Sequence, residues 1–320
     1  LLGENRIMTY YGLTVLAKTR RLGLKTLLPE KINSNAIGFQ IAPRLNAAGR
    51  LDHANTSYYL LTTDNKAEAQ KISKSLETTN RKRQKITQKI IEEIERLDFG
   101  SKKLIFAANN KWPPGVLGLV AGRLMDKHHR PVVITSQGIG SCRSIENFNI
   151  VKALKQANKY LLDFGGHPRA AGFKVEQKNI KKLQAKLEQI AKKNLEDKDL
   201  VPILEIDAEV ELRDITWDFY DTVASMEPFG FGNAMPVFLM RSVPVRNLGF
   251  VGNEGKHLRF IVPTEGEPLK GICFNGGGYG AHIAEGDGLD LVFNLEKDEW
   301  NGYKKLQLKV LDLRKSPKTP

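Results

Sequence analysis

The chain has 320 residues, 41% of them apolar and 27% charged, with a net charge of +13; this is length enough for two cores at about 150 residues per domain and a balance that excludes wholesale disorder and fibrous repeats. Its longest nearly apolar stretch, Gly115 to Gly122, falls far short of the ~20 residues that span a bilayer, no charged-then-apolar leader opens the sequence, and a soluble, cytoplasmic protein without a membrane partner is expected. Only two cysteines, Cys142 and Cys273, are present, which excludes a disulfide framework and a cysteine-based zinc site.

In chain order, residues 9–63 read as short helices broken by Gly12, Gly23, Pro29, Pro43 and Gly49, the helical edge of a larger domain. From Lys66 to Leu97, Ile72, Leu76, Ile86, Ile90, Ile94 and Leu97 fall at helical spacing with no glycine or proline between them. A single rod of about 45 Å is predicted at 1.5 Å per residue. Its lysines and arginines, Arg81, Lys82, Arg83, Lys85 and Lys89 among them, read as a solvated face or as phosphate contacts.

Lys103–Ala108, Gly115–Lys127 and Pro131–Thr135 alternate as strand, helix and strand, a β-α-β unit. A helix over Ile150–Leu162 that stops at Gly165-Gly166, a strand through Phe173–Val175 and a helix over Asn179–Lys193 complete a small α/β domain. Beyond Pro202 the period becomes two. Leu204 to Leu212 alternates apolar and acidic residues, and Leu258–Val262, Leu289–Leu295 and Leu306–Val310 repeat the alternation, with Asn301-Gly302 as a hairpin turn. A closed Greek-key barrel of the oligonucleotide-binding (OB) type is predicted there. The fold class is therefore α/β plus all-β, with domains over residues 1–64, 65–98 (the long connecting helix), 99–197 (α/β) and 202–315 (barrel).

The charge is uneven. Residues 1–200 hold 36 basic and 18 acidic side chains, whereas residues 201–320 hold 13 and 18. A cationic portion of this size fits a polyanion such as nucleic acid, or a lysine-rich solubilising surface.

Three segments carry possible chemistry. In Phe164-Gly165-Gly166-His167-Pro168-Arg169, two glycines let backbone N–H groups and the His167 imidazole approach a phosphate; a helix C-cap explains the same glycines. In Gly138-Ile139-Gly140-Ser141-Cys142-Arg143-Ser144, the hydroxyls of Ser141 and Ser144 and the Arg143 fork can hold a terminal phosphate, or the segment is a turn and an edge strand. In Ala42 to Arg50, Arg44 and Arg50 stand six apart and can follow a strand's phosphates or bridge helices.

Taken together and in order, these segments resemble the RecJ single-strand exonucleases of the DHH phosphoesterase superfamily. Leu2-Gly3-Glu4-Asn5-Arg6 is similar to that family's exit from its catalytic domain, and Ala42–Arg50 to its Pro-Arg-x-Asn-Ala-Ala-Gly-Arg signature. Asn80–Gln84 resembles the connecting helix, Gly115–Gly118 and Gly140–Ser144 the DHH-associated domain, and Gly165–Gly172 its Gly-Gly-His hallmark. Glu227-Pro228-Phe229-Gly230 and Asn294–Arg314 resemble the OB barrel.

The resemblance implies the C-terminal part of a 5′-to-3′ exonuclease of DNA repair and recombination that degrades single-stranded DNA. His167 would stabilise the transition state at the scissile phosphate, Ser141 and Arg143 would hold the 5′ phosphate, and Arg44 and Arg50 would lie along the strand; Ser144, Gly165 and Gly166 are also expected to bind the substrate. A single-strand-binding protein or a helicase is the implied further partner. The implied Mn2+ or Mg2+ would be held in the parent protein by clustered aspartates and histidines. Such clusters are missing here: Asp126-Lys127-His128-His129 and Asp52-His53 are no metal motifs, and Pro113 stands where the family commonly has histidine after tryptophan. The chain itself is expected to bind and not to cut. Two alternatives are a non-catalytic strand-binding adaptor and a phosphodiesterase for short oligonucleotides or cyclic dinucleotides.

Overall fold

A computed structural model describes residues 1–300 and 303–317; the predicted Asn301-Gly302 turn lies outside them. The chain divides into two compact units, Val15–Ile203 and Leu1–Thr14 with Leu204–Pro320.

The helical edge comprises α1 (Glu4–Ala17), α2 (Leu22–Lys25), α3 (Ser34–Ala36), α4 (Ala42–Leu51) and α5 (Asn55–Thr62). The long helix is continuous, α6 (Lys66–Glu95), and the Asn65 side chain caps its start by accepting from the Glu68 N–H at 3.1 Å. Its buried face is apolar at both ends, with Leu76 packed beside Leu27 and Leu60, and Ile90, Ile91 and Ile94 packed beside Trp112 and Val120. Between these patches the same face buries Asn80, Arg83 and Thr87. Lys82, Lys85 and Lys89 are exposed, as a solvated face requires, but Arg83 is not.

The β-α-β unit forms as predicted: β1 (Ile105–Ala108), α7 (Leu117–His128) and β2 (Val132–Ser136), with the strands parallel. Next come β3 (Ile139–Arg143), α8 (Ile150–Gln156), β4 (Leu161–His167), β5 (Ala170–Val175) and α9 (Ile180–Asn194), and the sheet order is β1-β2-β3-β5-β4. Two expectations are corrected here. First, β3 lies inside the sheet and is no edge strand. Second, α8 stops at Gln156, and Gly165 and Gly166 belong to edge strand β4 and cap no helix. A bulge between Leu161 and Asp163 puts both Leu161 and Phe164 on the core face. That three-residue spacing imitates a helical period in the sequence.

In the other unit, β6 (Ala208–Glu209) precedes α10 (Trp217–Ala224). Then follow β7 (Phe238–Pro244), β8 (Arg246–Val251), β9 (His257–Val262), β10 (Leu269–Cys273), β11 (Gly288–Trp300) and β12 (Tyr303–Lys315). The sheet runs β6-β7-β11-β12-β10-β9-β8 and curls around one core to which Phe238, Leu258, Phe260, Leu291, Phe293 and Leu308 contribute. Among the described residues no ladder joins β8 to β6, so the sheet is not closed as predicted. The strand expected over Leu204–Leu212 shrinks to two paired residues. Asp207 and Val210 N–H groups bond Val237 and Leu239 carbonyls at 2.8 and 2.9 Å, while Leu204 and Ile206 stand exposed, with no partner strand to cover them. In the same unit, Arg6 Nη2 donates to the Met226 carbonyl at 2.7 Å and Asn233 Nδ2 to the Met226 and Pro228 carbonyls at 2.9 and 3.0 Å. The Arg6 bond fastens the start of α1 to the Glu227–Gly230 turn, and the Asn233 bonds brace that turn.

Candidate functional site

The pleat of the five-stranded sheet sorts its residues between two faces. Cys142, Ala171 and Phe173 face the core formed with α8 and α9, and burial there pushes the Cys142 thiol far above its ordinary pKa, so it is no nucleophile. The opposite face carries Ser141 and Arg143. The registers put Ser141, Gly172 and Gly165 in one cross-strand row and Arg143, Ala170 and His167 in the next. Partners in a ladder point to the same side, so residues from two separate sequence motifs share one surface. Arg143 and His167 stand two strand spacings apart, about 10 Å.

Helix α7 covers the β1-β2-β3 half of this face, where Ile105, Ala107, Val132 and Ile134 pack beneath Val120 and Leu124. The β5-β4 half stays bare: Gly165, His167, Gly172 and Lys174 are all exposed. At the border, a Cβ on Gly118 would lie 3.1 Å from both Arg143 Nη2 and Ser141 Oγ. Glycine at this position lets the guanidinium and hydroxyl lie against the first turn of α7, whose start no side chain caps. Arg143 Nη1 donates to the Cys142 carbonyl at 2.7 Å, which orients the fork. A Cβ on Gly115 would lie 2.1 Å from the Arg50 carbonyl, and Arg50 Nη1 returns a bond to the Gly115 carbonyl at 3.1 Å. Arg50 is thereby fixed one turn before α7. A helix N-terminus flanked by guanidinium and hydroxyl donors is suited to an anion, and among the described residues no carboxylate pairs with Arg50 or Arg143.

Gly166 works differently. Its φ is +144°, and a Cβ would meet the Ala170 carbonyl at 2.4 Å, so glycine here closes the β4-β5 hairpin and presents His167 at its tip.

Two predicted site residues fall elsewhere. Ser144 is fully buried and its hydroxyl donates to the Phe148 carbonyl at 2.6 Å; it serves the loop after β3 and does not reach the open face. Arg44 forms an ion pair with Glu77 at 2.8 Å and donates to the Leu27 carbonyl at 3.3 Å, bridging α4 to α6. The sequence does not mark Gly118 and Gly172 as site residues, although both lie in segments that resemble the family. Their contribution is the absence of a side chain, which no sequence pattern of donors reveals.

Residues 101–193 match the DHHA1 domain and residues 206–312 the RecJ OB domain. The chain belongs to the RecJ family. It is 33% identical over 97% of its length to the single-stranded-DNA-specific exonuclease RecJ of Bacillus subtilis and 32% identical over 98% to that of Thermus thermophilus. It spans 41% and 46% of those relatives' lengths. A crystal structure of Thermus thermophilus RecJ in complex with Mn2+ matches 98% of this chain and 47% of that one, with a TM-score of 0.88 and 29% identity.

The DHHA1 domain contains the Ser141–Arg143–His167 face, and the OB domain is the seven-stranded sheet. On that sheet Phe274, just after β10, is half exposed, His257 meets its ring edge-on at 5.3 Å, and Arg246 and Arg259 are exposed on β8 and β9. This is a local aromatic and cationic patch on a domain whose overall charge is negative.

Mn2+ and Mg2+ call for several oxygen or nitrogen ligands. Among the described residues there is no group of three or more His, Cys, Asp or Glu that could hold a metal ion. Asp126 and His128 end α7, where His128 packs edge-on against Phe99 at 5.5 Å and lies 3.7 Å from Glu95. The described residues therefore do not form a metal site. No described helix is long and apolar enough to cross a membrane.

Proposed function

We propose that this chain holds the 5′-phosphorylated end of a single DNA strand for a metal-dependent 5′-to-3′ exonuclease of DNA repair and recombination in the cytoplasm. The observation that carries the reading is the convergence of Ser141, Arg143, Gly118 and His167 on one half-bare sheet face. Arg143 and Ser141 supply charge-assisted hydrogen bonds to the terminal phosphate against the α7 N-terminus. Gly165 and Gly172 leave room for the nucleotide, and Arg50 adds charge beside the α7 start. His167, about 10 Å across the sheet, donates a hydrogen bond to the next phosphodiester, where charge builds up during cleavage. Phe274 and Arg259 of the OB domain offer stacking and phosphate contacts to the strand. Hydrolysis itself needs an activated water, and the described residues provide no metal ligands for it, so the purified chain is expected to bind and not to cut; a Mn2+-dependent nuclease activity in it would overturn this part. The substrate class favours a single-strand-binding protein or a helicase as the partner that delivers the strand.

The test is binding of one oligonucleotide carrying a 5′ phosphate or a 5′ hydroxyl across a salt series. A phosphate preference of about tenfold or more, the size of one or two charge-assisted bonds, supports the reading. Equal binding that falls steeply with salt reduces the face to a cationic surface.

A further inference from the structure

Strand β9 alternates between the two sides of the OB sheet. Leu258, Phe260 and Val262 face the core, so His257 and Arg259 face outward, about 7 Å apart along the strand. Cys273 stands opposite Leu258 in the β9-β10 ladder; one step on, Phe274 meets the His257 ring edge-on at 5.3 Å. The imidazole is held in a single tautomer. Its Nδ1 accepts from the Asn275 N–H at 3.0 Å, so in the neutral ring the proton sits on Nε2. No described residue accepts from that N–H, and Nε2 is open to solvent. Two glycines keep the outward donors clear. A Cβ on Gly252, whose φ of +83° favours glycine in any case, would lie 2.8 Å from His257 Cδ2 and 3.2 Å from Nε2. Gly249 stands opposite Arg259 on β8, and a Cβ there would lie 3.3 Å from Arg259 Nε. A half-exposed ring, an oriented N–H and a guanidinium with no described carboxylate partner thus share one outer surface.

We propose that His257 is a strand-binding residue of the OB domain: its Nε2–H donates to an oxygen of the phosphodiester beside the base stacked on Phe274, and Arg259 takes a neighbouring one. The phosphodiester is the acceptor that an imidazole N–H and a guanidinium can share, and it recurs along the strand whatever the base. The proposal rests on the reading that this patch meets the strand.

The test is binding of 5′-hydroxyl oligo-dT and oligo-dA to the whole chain, followed by anisotropy at about pH 8, above the ordinary imidazole range, across a salt series. His257→Asn keeps an acceptor for the Asn275 N–H but has no donor at the Nε2 position. It should weaken both oligonucleotides about fivefold with the salt slope unchanged, because a neutral donor releases no counterion. His257→Gln carries an amide donor to the Nε2 position and should recover most of that loss, which a packing role for the ring would not. Arg259→Ala should lower the salt slope by about one, and unchanged thermal midpoints show that the variants fold. The wild-type Nε2–H resonance gives an independent readout: oligonucleotide should shift it, and a resonance unmoved at saturation overturns the proposal. Wild-type binding by His257→Asn, while Phe274→Ala and Arg259→Ala weaken it, overturns the proposal and leaves the patch on the strand. If none of the three variants weakens binding, the patch lies off the strand and both readings fall. A loss that His257→Gln does not relieve, or one confined to a single base, overturns the phosphodiester contact.

Discussion

The two sheets of this protein treat charge in opposite ways. On the OB sheet, basic side chains are mostly matched. Arg314 and Ser316 bind Asp290 at 2.9 and 2.7 Å, Lys270 meets Asp298, Lys309 meets Glu296 and Arg241 meets Glu209. On the DHHA1 sheet, Arg143 stands unmatched on a face cleared by Gly118, Gly165 and Gly172. Arg44 and Arg83 repeat the contrast at α6, the first spent on Glu77 and the second bonded to Asn80 with its Nε left without a partner. Net charge alone does not locate a polyanion site; unneutralised charge next to a surface without side chains does. On the OB domain the binding capacity is left to exposed rings and to arginines such as Arg259, and not to a field.

The largest expected effect breaks the matched side. Asp290 is almost fully buried and accepts from Ser316, Arg314 and the Ser242 N–H. Asp290→Ala leaves these donors and the Arg314 charge unpaired, and should destabilise the OB unit by about 3 kcal/mol in chemical denaturation while leaving the 5′-phosphate preference intact. The same group sets an acid limit. Burial raises the Asp290 pKa, but the bonds from Ser316, Arg314 and Ser242 outweigh it and hold it below the ordinary value. A depressed folded pKa contributes stability that is complete above the unfolded value of about 3.9 and is lost as pH falls through the folded one. Below about pH 4 the OB unit should therefore lose stability more steeply than the Asp290→Ala variant does.

The next effect sharpens the unmatched side. Gly118→Ala places a methyl group 3.1 Å from Arg143 Nη2 and Ser141 Oγ, the flexible ends of side chains that can move aside. Thermal stability should hold or rise, since alanine exceeds glycine in helix propensity by about 1 kcal/mol, while affinity for the 5′ phosphate falls several-fold. Equal binding by this variant would show that the guanidinium does not need its place on α7. The smallest effect belongs to Arg44→Ala, which removes a half-exposed ion pair. It should cost about 0.5 kcal/mol in denaturation and leave 5′-phosphate preference unchanged; a lost preference would return Arg44 to the strand path.

Much of this architecture was legible in the sequence. The β-α-β unit, the 30-residue helix and the alternating strands β9, β11 and β12 follow from periodicity, because each buries one regular face. The failures share a physical origin. The bulge at Leu161–Asp163 gave a strand a helical spacing, and Leu204–Ile206 alternates without a partner strand to bury it. At the site, Ser141, Arg143 and His167 were legible as donor types, but their common face depends on β3 lying inside the sheet beside β5, a long-range pairing that no local pattern encodes. Ser144 carried the same hydroxyl as Ser141 and was read alike; only the end of β3 separates an open face from a buried loop. Arg83 looked like its exposed lysine neighbours, and its burial follows from the turn of α6 that faces α7.

The central claim is that Arg143 and a strand's 5′ phosphate meet directly. A double-mutant cycle tests this in one buffer: dissociation constants for wild type and Arg143→Ala, each with 5′-phosphate and 5′-hydroxyl oligonucleotide. The account predicts non-additivity of about 1.5 kcal/mol or more, with the arginine mattering little once the phosphate is gone. Additive losses would contradict it and leave Arg143 as one more positive charge on the surface.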